Sequence, residues 1–315
     1  MRKLVVCAAL VLIAKPTEVE AGWFFKTFDV PGADYTVGTG INNAGQVVGF
    51  FVDVTGDTST VHGFLNTRGT FSTLDVPFTG GESTRAWGIN NAGQIVGSFS
   101  DATGTHGFLD TRGSFTTVNV PGATGQRGTT AYAINDRRQI VGAFSSTVEV
   151  ATYSGFLKTG SNFTTLNVPG ARNTVATGIN DAGQIVGQYD NAGYLYAKGV
   201  FTPLNVGYVD IATINNVGQI AGTFDDATGQ HGFLLTGSDL TIIDVPGASN
   251  TYVQGINDFG EVVGYWNVNG VAGSHGFVAV STPEPASWIS LCIGAAIIAG
   301  YGWQRKRVRR DAARC

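Results

Sequence analysis

Nine residues of the form Ile-Asn-(Asn/Asp)-x-Gly-(Gln/Glu)-(Ile/Val)-(Val/Ala)-Gly recur six times in this chain, and no other feature restricts its possible folds as much. The copies begin at Ile41, Ile89, Ile134, Ile179, Ile214 and Ile256, with spacings of 48, 45, 45, 35 and 42 residues. A second signature, His-Gly-Phe-Leu, stands at His62–Leu65, His106–Leu109, His231–Leu234 and, ending in valine, His275–Val278. Weaker copies lie at Ser154–Leu157 and Ala192–Leu195. A third, close to Phe-Thr-Thr-Leu-Asp-Val-Pro-Gly, reaches its valine at Val30, Val76, Val120, Val168, Val206 and Val245.

Each repeat divides into four short runs of strand-forming residues separated by turn residues. Phe115–Val120 stops at Pro121-Gly122, and Ala131–Asn135 leads through a tight turn into Gln139–Phe144. His106–Leu109 is the remaining type, joined to the first by Asp110–Gly113. With 45 glycines and only 13% charged residues, the composition suits strands and turns better than helices. Four strands in about 44 residues is the size of one propeller blade, so the expected fold is an all-β, six-bladed β-propeller. A β-helix solenoid has a much shorter period. The chain opens on an orphan strand of the first type, Phe24–Val30, and finishes on His275–Val280 without the strand that normally follows. The first strand is therefore expected to complete the last blade, closing the ring and removing exposed edges.

The repeated residues have structural reasons. The Asn at 42, 90, 135, 180, 215 and 257 can bond the backbone of the hairpin it opens, as an Asx-type turn. Gly45, Gly93, Gly183, Gly218 and Gly260 suit a left-handed position in that turn, where the third copy carries Arg138. His62, His106, His231 and His275 occupy equivalent places around a ring, so they cannot converge on one metal ion; a strand-end bond to a backbone carbonyl is expected instead. Asp53, Asp101 and Asp226 open Asp-x-Thr-Gly loops with too few oxygen ligands for calcium, and read as hairpin turns. No nucleophile motif, phosphate loop or distinctively spaced acid pair appears, so neither metal nor cofactor is expected and the body is read as non-enzymatic.

Between Gly22 and Thr282 there are 10 Lys/Arg and 19 Asp/Glu, a net −9 with no basic stripe, which argues against nucleic-acid binding. The three cysteines, Cys7, Cys292 and Cys315, all fall outside that body, so it can hold no disulfide framework.

The ends carry addresses. Met1-Arg2-Lys3, the apolar run Leu4–Ala14 and small residues before Gly22 form an expected signal peptide over 1–21. Residues 22–281 are the repeat domain, and 282–315 a tail. The tail begins Thr282-Pro283-Glu284-Pro285, continues without charge from Pro285 to Gln304, and ends in a basic cluster from Arg305 to Arg310. That uncharged span is long enough for one transmembrane helix, and Trp288 and Trp303 stand where interfacial aromatics belong. The order of Pro283, Glu284 and Pro285, apolar span and Arg-rich end resembles the PEP-CTERM sorting signal of Gram-negative bacteria. That resemblance implies processing by an exosortase, typically in species that make exopolysaccharide. The body resembles bacterial extracellular repeats named for a His-Ala-Phe (HAF) tripeptide, here written His-Gly-Phe, with no His in copies three and five. This implies an exported repeat protein and supplies no activity.

In a meander the connections alternate between two faces. Turns such as Asn42–Gly45 and Asn66–Gly69 share one face and barely vary, whereas the other collects the variable connections. Those loops hold Tyr35, Arg85, Trp87, Arg127, Tyr132, Arg172, Tyr208 and Tyr252, candidate ligand-binding residues because aromatics stack on sugars and Arg pairs with carboxylates. The expected protein is a surface or matrix component, membrane-anchored before processing, whose propeller binds exopolysaccharide or a surface protein. The alternative is a secreted enzyme with its site among the same loops.

Overall fold

A computed structural model describes residues 22–282, apart from 57, 78–82, 124–127 and 146–151. The signal segment and the tail from Pro283, with its expected membrane helix, lie outside the described residues. Every regular element among the described residues is a strand. None of them forms a helix long and apolar enough to cross a membrane. Phe25–Val280 form one compact unit, and outside it the Thr282 backbone N–H and hydroxyl both donate to the Gly22 carbonyl at 2.8 Å.

The first strands of the repeats are Tyr35–Ile41, Ser83–Ile89, Thr129–Ile134, Thr174–Ile179, the second half of Val200–Ile214, and Asn250–Ile256. Each packs on the next and the last packs on the first. Further antiparallel strands succeed each of them, as in Thr129–Ile134, Ile140–Phe144, Ser154–Thr159 and Asn162–Leu166. Sheets arrayed in this way around a closed ring of inner strands make a β-propeller.

Strand hydrogen bonding yields four sheets, of four, four, seven and eight strands, where six separate blades were expected. Two joins account for the difference. Val200–Ile214 runs unbroken from one repeat into the next, because Val206 is followed by Gly207 rather than by the Pro that ends this motif at Pro31, Pro77, Pro121, Pro169 and Pro246. A single parallel pairing, Val61 with Ser83, joins another two repeats.

The first and last strands meet as expected: one sheet runs Trp23–Phe28, His275–Ser281, Val262–Asn267, Asn250–Ile256. Phe28 stands edge-on to Phe64 at 6.2 Å, and Val30 packs with Ile41, Phe51, Phe64 and Val263.

The first two signatures are halves of one contact. The last Gly of the first faces the aromatic of the second across a strand pair: Gly49 with Phe64, Gly97 with Phe108, Gly142 with Phe156, Gly187 with Tyr194, Gly222 with Phe233 and Gly264 with Phe277. All six aromatics are fully buried. A Cβ on Gly97 would sit 2.1 Å from the Arg85 carbonyl and 2.5 Å from the Phe108 ring, so only glycine lets both approach.

That intruding carbonyl belongs to a bulge. Every inner strand carries one, and the register skips one residue in each: Thr39, Trp87, Tyr132, Thr177, Asp210 and Gln254. Five of the six stand two residues before the signature Ile. Asp210 stands four before Ile214, because the bulge in that strand is displaced toward the strand's start. Arg138 keeps the left-handed turn with φ 61°, its N–H donating to the Asn135 carbonyl at 3.0 Å. Holding a side chain there costs about 1 kcal/mol.

Candidate functional site

The repeated Asn has a second role beyond its turn. Asn90 Oδ1 accepts from the Ala92 and Gln94 N–H groups at 3.1 and 2.9 Å, the expected Asx-type geometry. Its Nδ2 donates to Gln94 Oε1 and also to the Asn135 carbonyl of the next repeat, both at 3.1 Å. The inter-repeat bond runs from Asn42 to 90, 135, 180, 215, 257 and back to 42, at 3.0–3.3 Å. The neighbouring residues make a second closed circuit. The N–H groups of Asn43, Asn91, Asp136, Asp181, Asn216 and Asp258 each donate to Oδ1 of the next member at 2.8–2.9 Å. Burial works to raise the Asp258 carboxyl, yet hydrogen bonds from Asn43 and Asn216 outweigh it and hold the group below its ordinary value. The void at this end of the axis is about 70 Å³, room for little beyond water. The hydrogen-bonded circuits close the axis here, and a separate cavity of about 420 Å³ lies off the axis among the turns of Gln46, Asn91, Asp110 and Arg112. Gln46 Nε2 donating to Thr67 Oγ1 at 3.3 Å places the two near-constant turns side by side there, as expected.

Bulges re-aim side chains, and here they gather residues on the axis. A constriction of about 80 Å³ is lined by Thr39, Trp87, Tyr132, Thr177 and Gln254, together with the signature isoleucines. Sharing Trp87, Tyr132 and Thr177 with it is a pocket of about 370 Å³, the size of a small ligand. Its wall adds Ala143, Tyr153, Asn173, Val175, Gln188, Asp190, Asn191 and Asp210. Trp87 packs between Phe50 and Tyr132 at 5.6 and 5.4 Å, and its Nε1 donates to Ser98 Oγ at 3.0 Å, so its ring is fixed in place.

The two carboxylates in the pocket differ. Asp190 lies below the ordinary range because the Arg172 and Asn173 N–H groups donate to it at 2.8 and 2.9 Å. Asp210 is raised, by burial first and by the Asp225 carboxylate second. Tyr132 is pushed up to about 12 by burial, then by Tyr153 and Asp210.

A raised carboxyl means that the folded chain holds the Asp210 proton more tightly than the unfolded one. Its effect on stability therefore becomes unfavourable as pH rises from the ordinary carboxylate value through the raised one. Asp210→Asn is expected to melt about 2–4 °C higher than the parent at neutral pH. The difference should close near pH 3, below the ordinary carboxylate range. Melting curves at both pH values check this, and a less stable Asn variant at neutral pH would contradict it.

Of the eight candidate residues, Trp87 and Tyr132 share the pocket, but as bulge residues within strands rather than as loop residues. Arg172 stands at its rim, contributing its backbone N–H to Asp190. Arg85 lies elsewhere, its guanidinium 5.3 Å over Phe50 and donating to Ser83 Oγ at 2.6 Å. Tyr252 stacks on Tyr265 at 4.3 Å. Tyr35 is exposed at the start of its strand and lines no part of the pocket. Arg127 and the Tyr208 side chain lie outside the described residues. Sequence reasoning missed Tyr153, Asn173, Gln188, Asp190, Asn191 and Asp210. Aligning the copies on the signature Ile would have exposed the variable position two residues before it, though not Asp210.

The histidines bond side chains, not the backbone carbonyls expected of them. His62 Nδ1 is 2.9 Å from Asp75, and His275 Nδ1 is 3.1 Å from both Asp29 oxygens. His231 Nδ1 is 3.0 Å from both Asp244 oxygens, with Thr228 Oγ1 2.8 Å from Nε2. This last order imitates a catalytic relay, but Asp226 holds the Thr228 hydroxyl at 2.6 Å on an exposed hairpin. It is a turn lock. Among the described residues no group of three or more His, Cys, Asp or Glu is placed to hold a metal ion.

No protein-family model and no curated protein matches this chain. Solved structures resemble it in fold. The β-propeller domain of the Trilobed protease from Pyrococcus furiosus is 9% identical, covering 83% of this chain and 97% of that one at a TM-score of 0.46. A gluconolactonase from Xanthomonas campestris is 11% identical, covering 79% and 88% at 0.47. Regucalcin, a calcium-binding protein from Agrobacterium tumefaciens, is 11% identical, covering 80% and 93% at 0.48. At such scores these likenesses carry nothing about ligand or activity, which rest on this chain's own residues.

Proposed function

We propose that this chain is an exported surface or matrix protein whose body is a six-bladed propeller acting as a binding module, with a saccharide seated in the pocket of Trp87, Tyr132 and Asp210. The observation that carries the reading is the set of bulges, which turns one side chain toward the axis in five repeats and brings Asp210 to the pocket wall in the other. Trp87, Tyr132 and Asp210 come from bulges, and Tyr153, Asp190 and the amides of Asn173, Gln188 and Asn191 complete the wall, a mixture that can grip a sugar's apolar face and its hydroxyls. At the opposite end of the axis hydrogen-bonded rings leave a void of only about 70 Å³. Binding to a glycan array is expected, with Trp87→Ala weakening it about tenfold or more, since a lost stacking ring exceeds 1.4 kcal/mol. Absence of binding, or binding indifferent to Trp87→Ala, would count against the pocket.

Residues 1–21 and 282–315 act in this reading as a signal peptide and a PEP-CTERM-type tail, cut by an exosortase near Pro283–Pro285. Mass spectrometry of the surface-released protein checks it; a product still carrying Trp288–Trp303 means a plain membrane anchor instead. Secreted enzyme activity is the second reading. It is favoured by one observation, the two pocket carboxylates driven in opposite directions, and turnover of oligosaccharides would establish it.

A further inference from the structure

We propose that the pocket selects saccharides bearing a protonated amine, with Asp210 as the partner of that ammonium group. The inference rests on the saccharide reading above and adds the chemistry of selection.

Three observations converge. First, among the described residues the ionisable side chains lining the pocket are two carboxylates and two tyrosines, and the Arg172 charge at the rim already acts on one of those carboxylates, Asp190. Arg85 is committed to Phe50 and Ser83. An acidic sugar beside Asp210 would meet like charge from Asp210 and Asp225, which disfavours it more firmly than poor fit would. Second, the two carboxylates are unequally occupied. Asp190 already accepts two backbone N–H groups. Asp210 has no hydrogen bond to any described residue, and the charged group facing it is another carboxylate, Asp225, from the adjacent strand. Its remaining neighbours, Tyr132 and Tyr265, are neutral. A half-buried carboxylate in this setting lacks a positive partner, and an ammonium group would supply it. Third, the walls are aromatic. Trp87, Tyr132 and Tyr153 line it, and an aromatic ring attracts an ammonium group through its quadrupole, while an acetylated amine gains nothing from it.

The bulge explains why this acid is at the site at all. Displaced two residues from its place in the other five repeats, it delivers Asp210 to the pocket wall instead of to the narrower ring below.

The test uses the full chain in mild detergent at neutral pH. It is titrated calorimetrically with a glucosamine oligomer, the N-acetylglucosamine oligomer of equal length, and a uronate oligomer. The glucosamine oligomer is expected to bind about tenfold tighter than the acetylated one, and the uronate not measurably. In Asp210→Asn, glucosamine affinity should fall to the acetylated level, while the variant's melting curve shows that it is folded. Equal affinity for the amine and the acetamide, lost in Trp87→Ala, overturns the amine selection and leaves the saccharide pocket standing. No binding of any of the three overturns both. A lysine peptide binding in preference to glucosamine would assign the same ammonium chemistry to a protein ligand and overturn the saccharide source.

Discussion

A chain lacking residues 23–30 is expected to lose its cooperative thermal transition and to aggregate. The missing strand is the outer member of the sheet that joins the two ends of the repeat array. Phe28 and Val30 leave the cluster formed with Ile41, Phe51, Phe64 and Val263, and Phe25 leaves its 5.6 Å edge contact with Phe277. Burial of those three side chains is worth on the order of 5 kcal/mol, about the whole net stability of many domains. The deletion also strips His275–Ser281 of its neighbour and presents an unpaired edge, which templates association. Circular dichroism melts and light scattering of the truncated and intact chains decide the matter. Equal melting temperatures with equal scattering would show that the ring does not depend on this strand.

Asn90→Ala should cost about 4 kcal/mol and lower the melting temperature by roughly 10 °C. Four hydrogen bonds vanish at a buried position. The Ala92 and Gln94 N–H groups lose their acceptor, and Gln94 Oε1 and the Asn135 carbonyl lose their donor. Asn90→Asp separates the two roles: it keeps the acceptor but aims an oxygen at the Asn135 carbonyl, so it should recover part of the turn and none of the inter-repeat bond. Asn91→Ala, in the exposed circuit, should cost about 1 kcal/mol because water can replace the lost partners. Denaturant midpoints of the three variants measure the series. An Asn90→Ala effect no larger than that of Asn91→Ala would mean the buried circuit contributes little.

Repetition made the all-β propeller and its strand closure legible, because an orphan strand at one end and a missing strand at the other are visible by counting. The grouping into four sheets was not, since it turns on one absent proline after Val206 and one pairing at Val61. The site was half legible. Trp87 and Tyr132 stood out by chemistry but were assigned to loops, because a bulge breaks the two-residue alternation by which a strand announces itself. Asp210 was hidden further, being out of phase with its own repeat. The histidines were placed correctly and paired wrongly: a ladder position fixes where a side chain starts, not which neighbour across the strand will meet it.

The bulges also divide labour within a single strand. The strand pairing is carried on either side of each bulge, whereas the skipped residue makes contacts of its own kind: Thr39 Oγ1 donates to the Val48 and Ala86 carbonyls, and Trp87 Nε1 to Ser98 Oγ. Thr, Trp, Tyr, Thr, Asp and Gln occupy this place in the six repeats while the surrounding signatures hardly change. The bulge position therefore accommodates five kinds of side chain within one ring. Such a scaffold can vary what lines its axis one repeat at a time while the strand pairing around each position stays the same.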